Sequence, residues 1–363
     1  MMDFAHIMAQ PAMVFAVTLV LASLLITCLT DISFSLGLVD LPGGRKKHKK
    51  VVPLVGGIAI LGSVSLTLVS YIFMNGTLLA FWLASLLLTG ICVLDDKRPL
   101  PSNVRFFIQF VSLVVIIFLG KTVIFNLGDL LGLGPISLGL FSIPFTCFAL
   151  IGIINAVNMM DGVDGLTGGV SIVELGVLFF LAQKQGATQD ALLIAAFMGA
   201  ILGFLIFNFP SPFADKRKVF LGDAGSMLIG LTLGWLCVRL TQMPNGYSPA
   251  LMLWVMALPL MDTIHLIINR KARGVSAFRA DRRHMHHILL QLNYSAKQTS
   301  LIMMNASFFL SAIGVFLYFN GAPDWMLLTG IIILFLIYSV FSYGLKKRVA
   351  ARKYKFFGNV TNE

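Results

Sequence analysis

A chain that carries eleven separate apolar stretches, each about long enough to cross a bilayer, has few folds open to it. A membrane helix needs roughly 17–25 apolar residues. Stretches of this kind run at about 12–30, 52–74, 77–94, 106–120, 141–158, 165–183, 191–209, 224–242, 249–268, 299–319 and 325–344. Inside hydrocarbon every backbone N–H and C=O must find a partner within the protein, so each stretch is expected as a helix. Composition agrees: 58% of residues are hydrophobic, 12% are charged and the mean hydropathy is +0.89, far from a soluble domain. The expectation is one all-α, polytopic membrane domain over residues 1–363. It has about eleven transmembrane helices and a basic tail at 345–363.

Lys and Arg are retained on the cytoplasmic side of membrane proteins. With the N-terminus periplasmic and the C-terminus cytoplasmic, 24 of the 27 Lys and Arg residues fall on the inner side. Only Lys121, Lys184 and Arg239 are left outside or near the outer face. The net charge of +11 is then a topological bias with affinity for anionic membrane lipid, and gives no argument for nucleic acid. The first span lacks a basic leader and a small-residue cleavage site, so it reads as a retained helix. Cys28, Cys92, Cys147 and Cys237 sit within spans at no metal-ligand spacing and read as small buried hydrophobes.

Polar residues are scarce in such a chain, so their placement is informative. Residues 155–169 form a polar, glycine-rich hinge between two apolar stretches, with Asn155, Asn158 and Asp161 at three-residue spacing and Asp164 one further turn on. On a helix end that spacing puts two amides and a carboxylate on one face. Nothing positive lies between Asn155 and Lys184, so the acids need a cation from elsewhere: a distant Arg or Lys, or a hard metal ion.

Other segments repeat this theme. Asp95 and Asp96 end the third span just before Lys97, Arg98 and Pro99; they read as helix-end salt bridges or as part of a metal-phosphate site. Gly222-Asp223-Ala224-Gly225-Ser226 opens a later helix, where small residues let backbone amides and a carboxylate approach an ion or phosphate. Asn208 closes the span before it, and Lys216-Arg217-Lys218 lies between. The first inner loop, with Pro42, His48, Pro53 and Gly56-Gly57, is a positive-inside anchor or a phosphate-binding loop, and its glycines suggest close backbone approach. Asp262 and His265, one turn apart, read as a hydrogen-bonded pair, and Glu174 as glue between helices. Arg270 precedes His284, His286 and His287 in the last large loop. Beside Asp281 these histidines could read as a transition-metal site, but no cysteine or further carboxylate completes a ligand set and nearby arginines would repel a cation. His and Arg together suit phosphate and sugar oxygens.

All these groups fall on the cytoplasmic side. Carboxylates with magnesium, which prefers oxygen ligands, and basic groups around them make a phosphoryl-transfer constellation. On a membrane scaffold that implies a nucleotide-linked soluble substrate and a lipid phosphate acceptor.

Four segments in this order resemble the polyprenyl-phosphate N-acetylhexosamine-1-phosphate transferases: Asp95-Asp96, the Asn155 to Gly165 hinge, Phe220 to Ser226, and His284-Met285-His286-His287. The His-x-His-His form resembles the branch that transfers GlcNAc-phosphate, and departs from the Pro-x-His-His-His of the peptidoglycan branch. The resemblance implies transfer of GlcNAc-1-phosphate from UDP-GlcNAc to undecaprenyl phosphate in the bacterial inner membrane. It implies Mg²⁺, with Mn²⁺ as an alternative, held by Asp223 with Asp95 or Asp96. It further implies that one of Asp95 and Asp96 orients the acceptor. Asp161 and Asp164 would position nucleotide or metal, and Arg270 with the histidines would grip the donor. His48, Asn155, Asn158 and Asn208 join them as substrate-binding candidates, and a homodimer stays open. The competing readings are another UDP-N-acetylhexosamine, a CDP-alcohol phosphotransferase, or a membrane transporter; the last would place its acids near the midplane on repeated, broken helices.

Overall fold

The computed structural model describes residues 10–42, 50–274 and 283–360. It is helical almost throughout, as a chain with no water to satisfy its backbone must be. In chain order come α1 (Pro11–Leu36), a two-residue hairpin of β1 (Val39–Asp40) and β2 (Val52–Pro53), α2 (Gly56–Met74), α3 (Gly76–Lys97), α4 (Ser102–Phe118) and α5 (Ser142–Met160). Then follow α6 (Leu166–Gln185), α7 (Thr188–Asn208), α8 (Pro212–Lys216), α9 (Gly222–Gln242), α10 (Pro249–Val255), α11 (Ala257–Lys271), α12 (Met285–Gln291), α13 (Ala296–Phe319) and α14 (Asp324–Val360).

Eight of these helices are long and apolar enough to cross a membrane, nine if α10 and α11 count as one bent span; the apolar parts Gly56–Val69 and Ser102–Phe118 are shorter. Each of the eleven apolar stretches falls on one of these helices or on the bent pair. Two boundaries differ from expectation. Residues 52–55 are not helical, because β2 pairs antiparallel with β1, Val39 opposite Pro53 and Asp40 opposite Val52. The Pro53 carbonyl also accepts the Phe220 N–H at 2.8 Å. The stretch 249–268 is two helices bent by 84°. Pro259 has no N–H to give to the Val255 carbonyl and its ring would collide with it, so a single helix cannot run through Met256.

The bundle is organised around α9. Its most apolar 18-residue stretch is 89% buried, against 17% for α14 and 22% for α1, which lie at the margin. It packs on α2, α3, α5 and α6. Glycines let these helices come close: a Cβ on Gly230 would stand 2.8 Å from the Ile154 Cα of α5, and one on Gly57 would stand 2.6 Å from the Gly225 Cα. The close approach expected of Gly56-Gly57 is therefore to a neighbouring helix.

Three of the four cysteines are buried as expected, but Cys28 is exposed on the outer side of α1. Glu174 is fully buried, yet neither carboxylate oxygen has a hydrogen-bond partner among the described residues, so it glues no helices together there.

Candidate active site

Helix ends build the site. α5 stops at Met160, the Asp161 N–H closing on the Asn158 carbonyl at 3.1 Å. The hinge then turns through Gly165 at φ +74°, a conformation that favours glycine. The Gly165 N–H donates to Asn208 Oδ1 at 2.7 Å, and Asn208 Nδ2 donates to the Val219 carbonyl at 2.8 Å. Buried Asn208 thus ties the hinge to the strand of chain that leads into α9 and does not face the cleft.

The α9 N-terminus carries Asp223. Its first amides need acceptors, and Asp96 supplies them from the end of α3: Oδ1 accepts the Asp223 N–H at 2.9 Å and Oδ2 the Ala224 N–H at 3.3 Å. Gly222, at φ +72°, leaves the room; a Cβ there would be 2.5 Å from Asp96 Oδ2. Asp223 Oδ1 accepts from Asn158 Nδ2 at 3.0 Å, and Asn158 also donates to Ser226 Oγ at 2.8 Å. Asp95, buried beneath, accepts the Leu100 N–H at 2.6 Å. Arg105, in the first turn of α4, reaches both acids: Nε lies 2.7 Å from Asp95 Oδ2 and Nη1 3.0 Å from Asp223 Oδ2.

Beside these acids opens a cleft of about 300 Å³, bounded by Asn155, Asn158, Asp161 and Gly162 on one wall and Arg270, His284, His286 and His287 on the other. Asn155 Nδ2 donates to Gln109 Oε1 at 2.8 Å. Asp161 opens on the cleft, but the walls withhold enough water to push its carboxyl up to about 7, and the Asp223 and Asp164 carboxylates push the same way.

Asp262, on α11, holds the histidines. Its Oδ2 lies 2.7 Å from His284 Nδ1, while Oδ1 accepts the Met285 N–H at 3.0 Å and the Tyr338 hydroxyl at 2.6 Å. His284 and His286 stack with ring centres 5.3 Å apart. Burial pushes the His286 imidazole down to about 3, with the His287 and His284 charges adding to the effect, so it stays neutral. Gly162 admits this ring; a Cβ there would be 3.2 Å from His286 Cδ2. Behind the histidines lies a larger apolar cavity of about 890 Å³, lined by Met261, Met285, Tyr338 and Phe341 with Arg348 among its walls. Its walls lack the convergent acids and bases of the cleft, so the chemistry belongs to the smaller space.

Of the candidate residues, Asn155, Asn158, Asp161, Arg270, His284, His286 and His287 line this cleft, and Asp95, Asp96 and Asp223 cluster beside it, joined to its lining by Asn158 and Arg105. Asp164 is turned away and ion-paired with Lys218, the distant cation that one reading of the hinge required. His48 lies outside the described residues. Asp262 pairs with His284 and not with His265, which instead contacts Ser339 at 3.2 Å, Asn269 at 3.0 Å and Lys346 at 2.9 Å. The carboxylate thought missing from the histidine cluster is thus present: ligating atoms of Asp262, His284 and His286 lie within 4.8 Å of one another. His284 Nδ1 and Asp262 Oδ2 already face each other at 2.7 Å, and Arg270 stands in the same cleft.

Sequence reasoning missed Arg105, counted only as an inner-loop charge. Its signal was a polar stripe at helical spacing, Arg105, Gln109 and Ser112, in an otherwise apolar helix; Gln109 and Ser112 are both buried. Tyr338 was missed too, and Lys218 was read only as part of a basic run; the packing of distant segments assigns their partners Asp262 and Asp164.

A polytopic helical bundle with acids opposed to bases in a cleft at its helix ends has the build of a membrane-embedded phosphosugar transferase. The chain belongs to glycosyl transferase family 4, whose pattern matches residues 78–241. It is 33% identical over 306 residues to the undecaprenyl-phosphate alpha-N-acetylglucosaminyl 1-phosphate transferase of Escherichia coli (strain K12), covering 83% of each chain. The enzymes of the same name from Salmonella typhi and Haemophilus influenzae are 32% and 34% identical, covering 85% and 84% of this chain and 84% and 86% of theirs.

Proposed function

We propose that the protein transfers GlcNAc-1-phosphate from UDP-GlcNAc to undecaprenyl phosphate, giving undecaprenyl-diphospho-GlcNAc and UMP. The observation that carries this reading is a cleft walled by Asp161, Arg270 and the three histidines, with Asp95, Asp96 and Asp223 clustered beside it and tied to its lining by Asn158 and Arg105, in a chain similar to enzymes so named. An acceptor phosphate oxygen attacks the sugar-bearing phosphorus, the bond from that phosphorus to the bridging oxygen breaks, and UMP carries the pair away. The acceptor is already anionic near neutral pH, so the protein's task is orientation and charge stabilisation more than proton removal.

The residues fit a hard dication such as Mg²⁺. The groups that face one another there are carboxylates, Asp223 and Asp95, and Asp95 Oδ2 is buried with no directed hydrogen bond. Asp223 and Asp95 would hold the ion, with Asp96 fixing the backbone of Asp223. Bound there, it supplies positive charge to the diphosphate as negative charge builds on the leaving phosphate. Asn158 steadies Asp223, Arg270 and His284 face the donor, and neutral His286 offers hydrogen bonding without charge. The apolar cavity behind the histidines suits an isoprenoid chain entering from the bilayer.

The distribution of Lys and Arg supports eleven crossings with the N-terminus outside, the cleft facing the cytoplasm and a place in the bacterial inner membrane. There the product would begin lipid-linked O-antigen or enterobacterial common antigen. The test is UMP release by purified protein in detergent with undecaprenyl phosphate, magnesium and either UDP-GlcNAc or UDP-MurNAc-pentapeptide. We expect release with UDP-GlcNAc alone, dependent on lipid and metal. Release only with the peptidyl donor, or without lipid, overturns the assignment.

A further inference from the structure

We infer that Arg105 is a resident counter-cation of the carboxylate cluster: it fills the space between Asp95 and Asp223 in the donor-free protein and passes to the donor's diphosphate when a divalent cation takes that space. The inference rests on the transferase reading above and goes beyond it by giving one arginine two successive partners.

Without Arg105, buried Asp95 and half-buried Asp223 would face each other with no positive group between them, and Asp96 hydrogen-bonds the Asp223 amide close by. Like charges at such range repel strongly where water is scarce. The guanidinium relieves this, but its grip is loose in a telling way. Nε stands only 2.7 Å from Asp95 Oδ2, yet neither atom makes a directed hydrogen bond, so the contact is charge without alignment. The carboxylate oxygen keeps a lone pair for another ligand.

The same chain shows what a permanent pair looks like. At the far end of α9, Arg239 meets Asp190 with both arms, Nε to Oδ1 at 3.0 Å and Nη2 to Oδ2 at 2.9 Å, against an acid whose side chain is 1% exposed. That fork-on-fork geometry is the strong form of the contact. Arg105 instead splits its arms between two acids, and its side chain is 34% exposed. It also lines the cleft with Arg270 and His284, so the guanidinium has an open space to swing into where the diphosphate would lie.

The test uses the full-length protein in detergent, without donor, and follows Mn²⁺ binding by electron paramagnetic resonance. Arg105→Gln should bind Mn²⁺ about tenfold more tightly than the parent, because its positive competitor is gone. Its KM for UDP-GlcNAc should rise by a similar factor. Arg105→Lys, which keeps the charge, should bind Mn²⁺ as the parent does, and it carries the comparison should the glutamine variant fail to fold. Equal or weaker Mn²⁺ binding by Arg105→Gln, or markedly tighter binding by Arg105→Lys, overturns the exchange. Asp223→Asn separates this from the reading beneath it: if that variant binds Mn²⁺ as the parent does, the metal site is misplaced, whatever Arg105 does.

Discussion

Placing a methyl group on Gly57 should damage both stability and turnover. The Cβ would stand 2.6 Å from the Gly225 Cα and 2.8 Å from the Ala224 carbonyl carbon. These are backbone atoms, so no side chain can rotate away, and α2 and α9 must separate by roughly 1 Å to restore ordinary carbon contact. Overpacking of this kind costs about 1–3 kcal/mol. The separation also strains the Gly56 N–H to Phe220 and Gly57 N–H to Leu221 bonds, each 3.1 Å, worth about 0.5–1.5 kcal/mol apiece. A loss of about 2–4 kcal/mol is the reasonable sum. Phe220 and Leu221 lead straight into Asp223, so the carboxylate moves with them, and a displacement near 1 Å is worth about 10²-fold in rate. Thermal unfolding in detergent and UMP release measure the two effects. Gly90→Ala and Gly152→Ala, where a Cβ meets nothing within 4 Å, serve as controls and should be neutral or slightly stabilising. A Gly57→Ala protein that melts and turns over like those controls would refute the claim that this crossing sets Asp223.

Arg239→Met strands the buried Asp190 carboxylate and should cost about 3 kcal/mol in unfolding experiments; adding Asp190→Asn should recover part of it, with KM for UDP-GlcNAc unchanged throughout. Asp161→Asn tests the raised carboxyl in metal-free protein. Since the folded pKa of about 7 lies above the usual carboxylate value, ionisation works against the fold once pH exceeds that usual value. The melting-point gain of the asparagine variant should therefore grow from pH 4 through pH 7 and level off above, and a gain independent of pH would sink the argument. Tyr338→Phe removes one of the three hydrogen bonds that hold Asp262, and so loosens His284 from a span outside the cleft. A several-fold rise in KM for UDP-GlcNAc with little change in kcat is expected, since a bond to a charged group is worth about 1.5–3 kcal/mol and only part of that reaches the donor.

Much of the site was legible because it is local. Asn155, Asn158 and Asp161 share a face by helical spacing, and Asp95-Asp96 must end a helix because Pro99 follows. Gly222 to Ser226 had to open a helix, where an acid and small residues have their use. Even the close approach at Gly56-Gly57 was readable, though not its partner. Four motifs in order were enough to point to the family.

Pairings across the chain were another matter. Asp164 and Asp161 look equivalent three residues apart, yet one faces the cleft and the other pairs with Lys218, beside Gly165, where Asn208 ties the hinge to the chain leading into α9. Asp262 had a histidine one turn away and took a different one 22 residues on, since the bend at Met256 turns α11 toward the last loop.

What the sequence determined alone was therefore the solvent and the segments, because hydropathy dictates helices in a bilayer. What only the tertiary structure decided was which polar side chain answers which. Periodicity sets the face of a helix but carries no record of its neighbour. In a bundle this apolar, each acid's partner depends on where two distant helices cross, and Arg105 between Asp95 and Asp223 exists only at such a crossing.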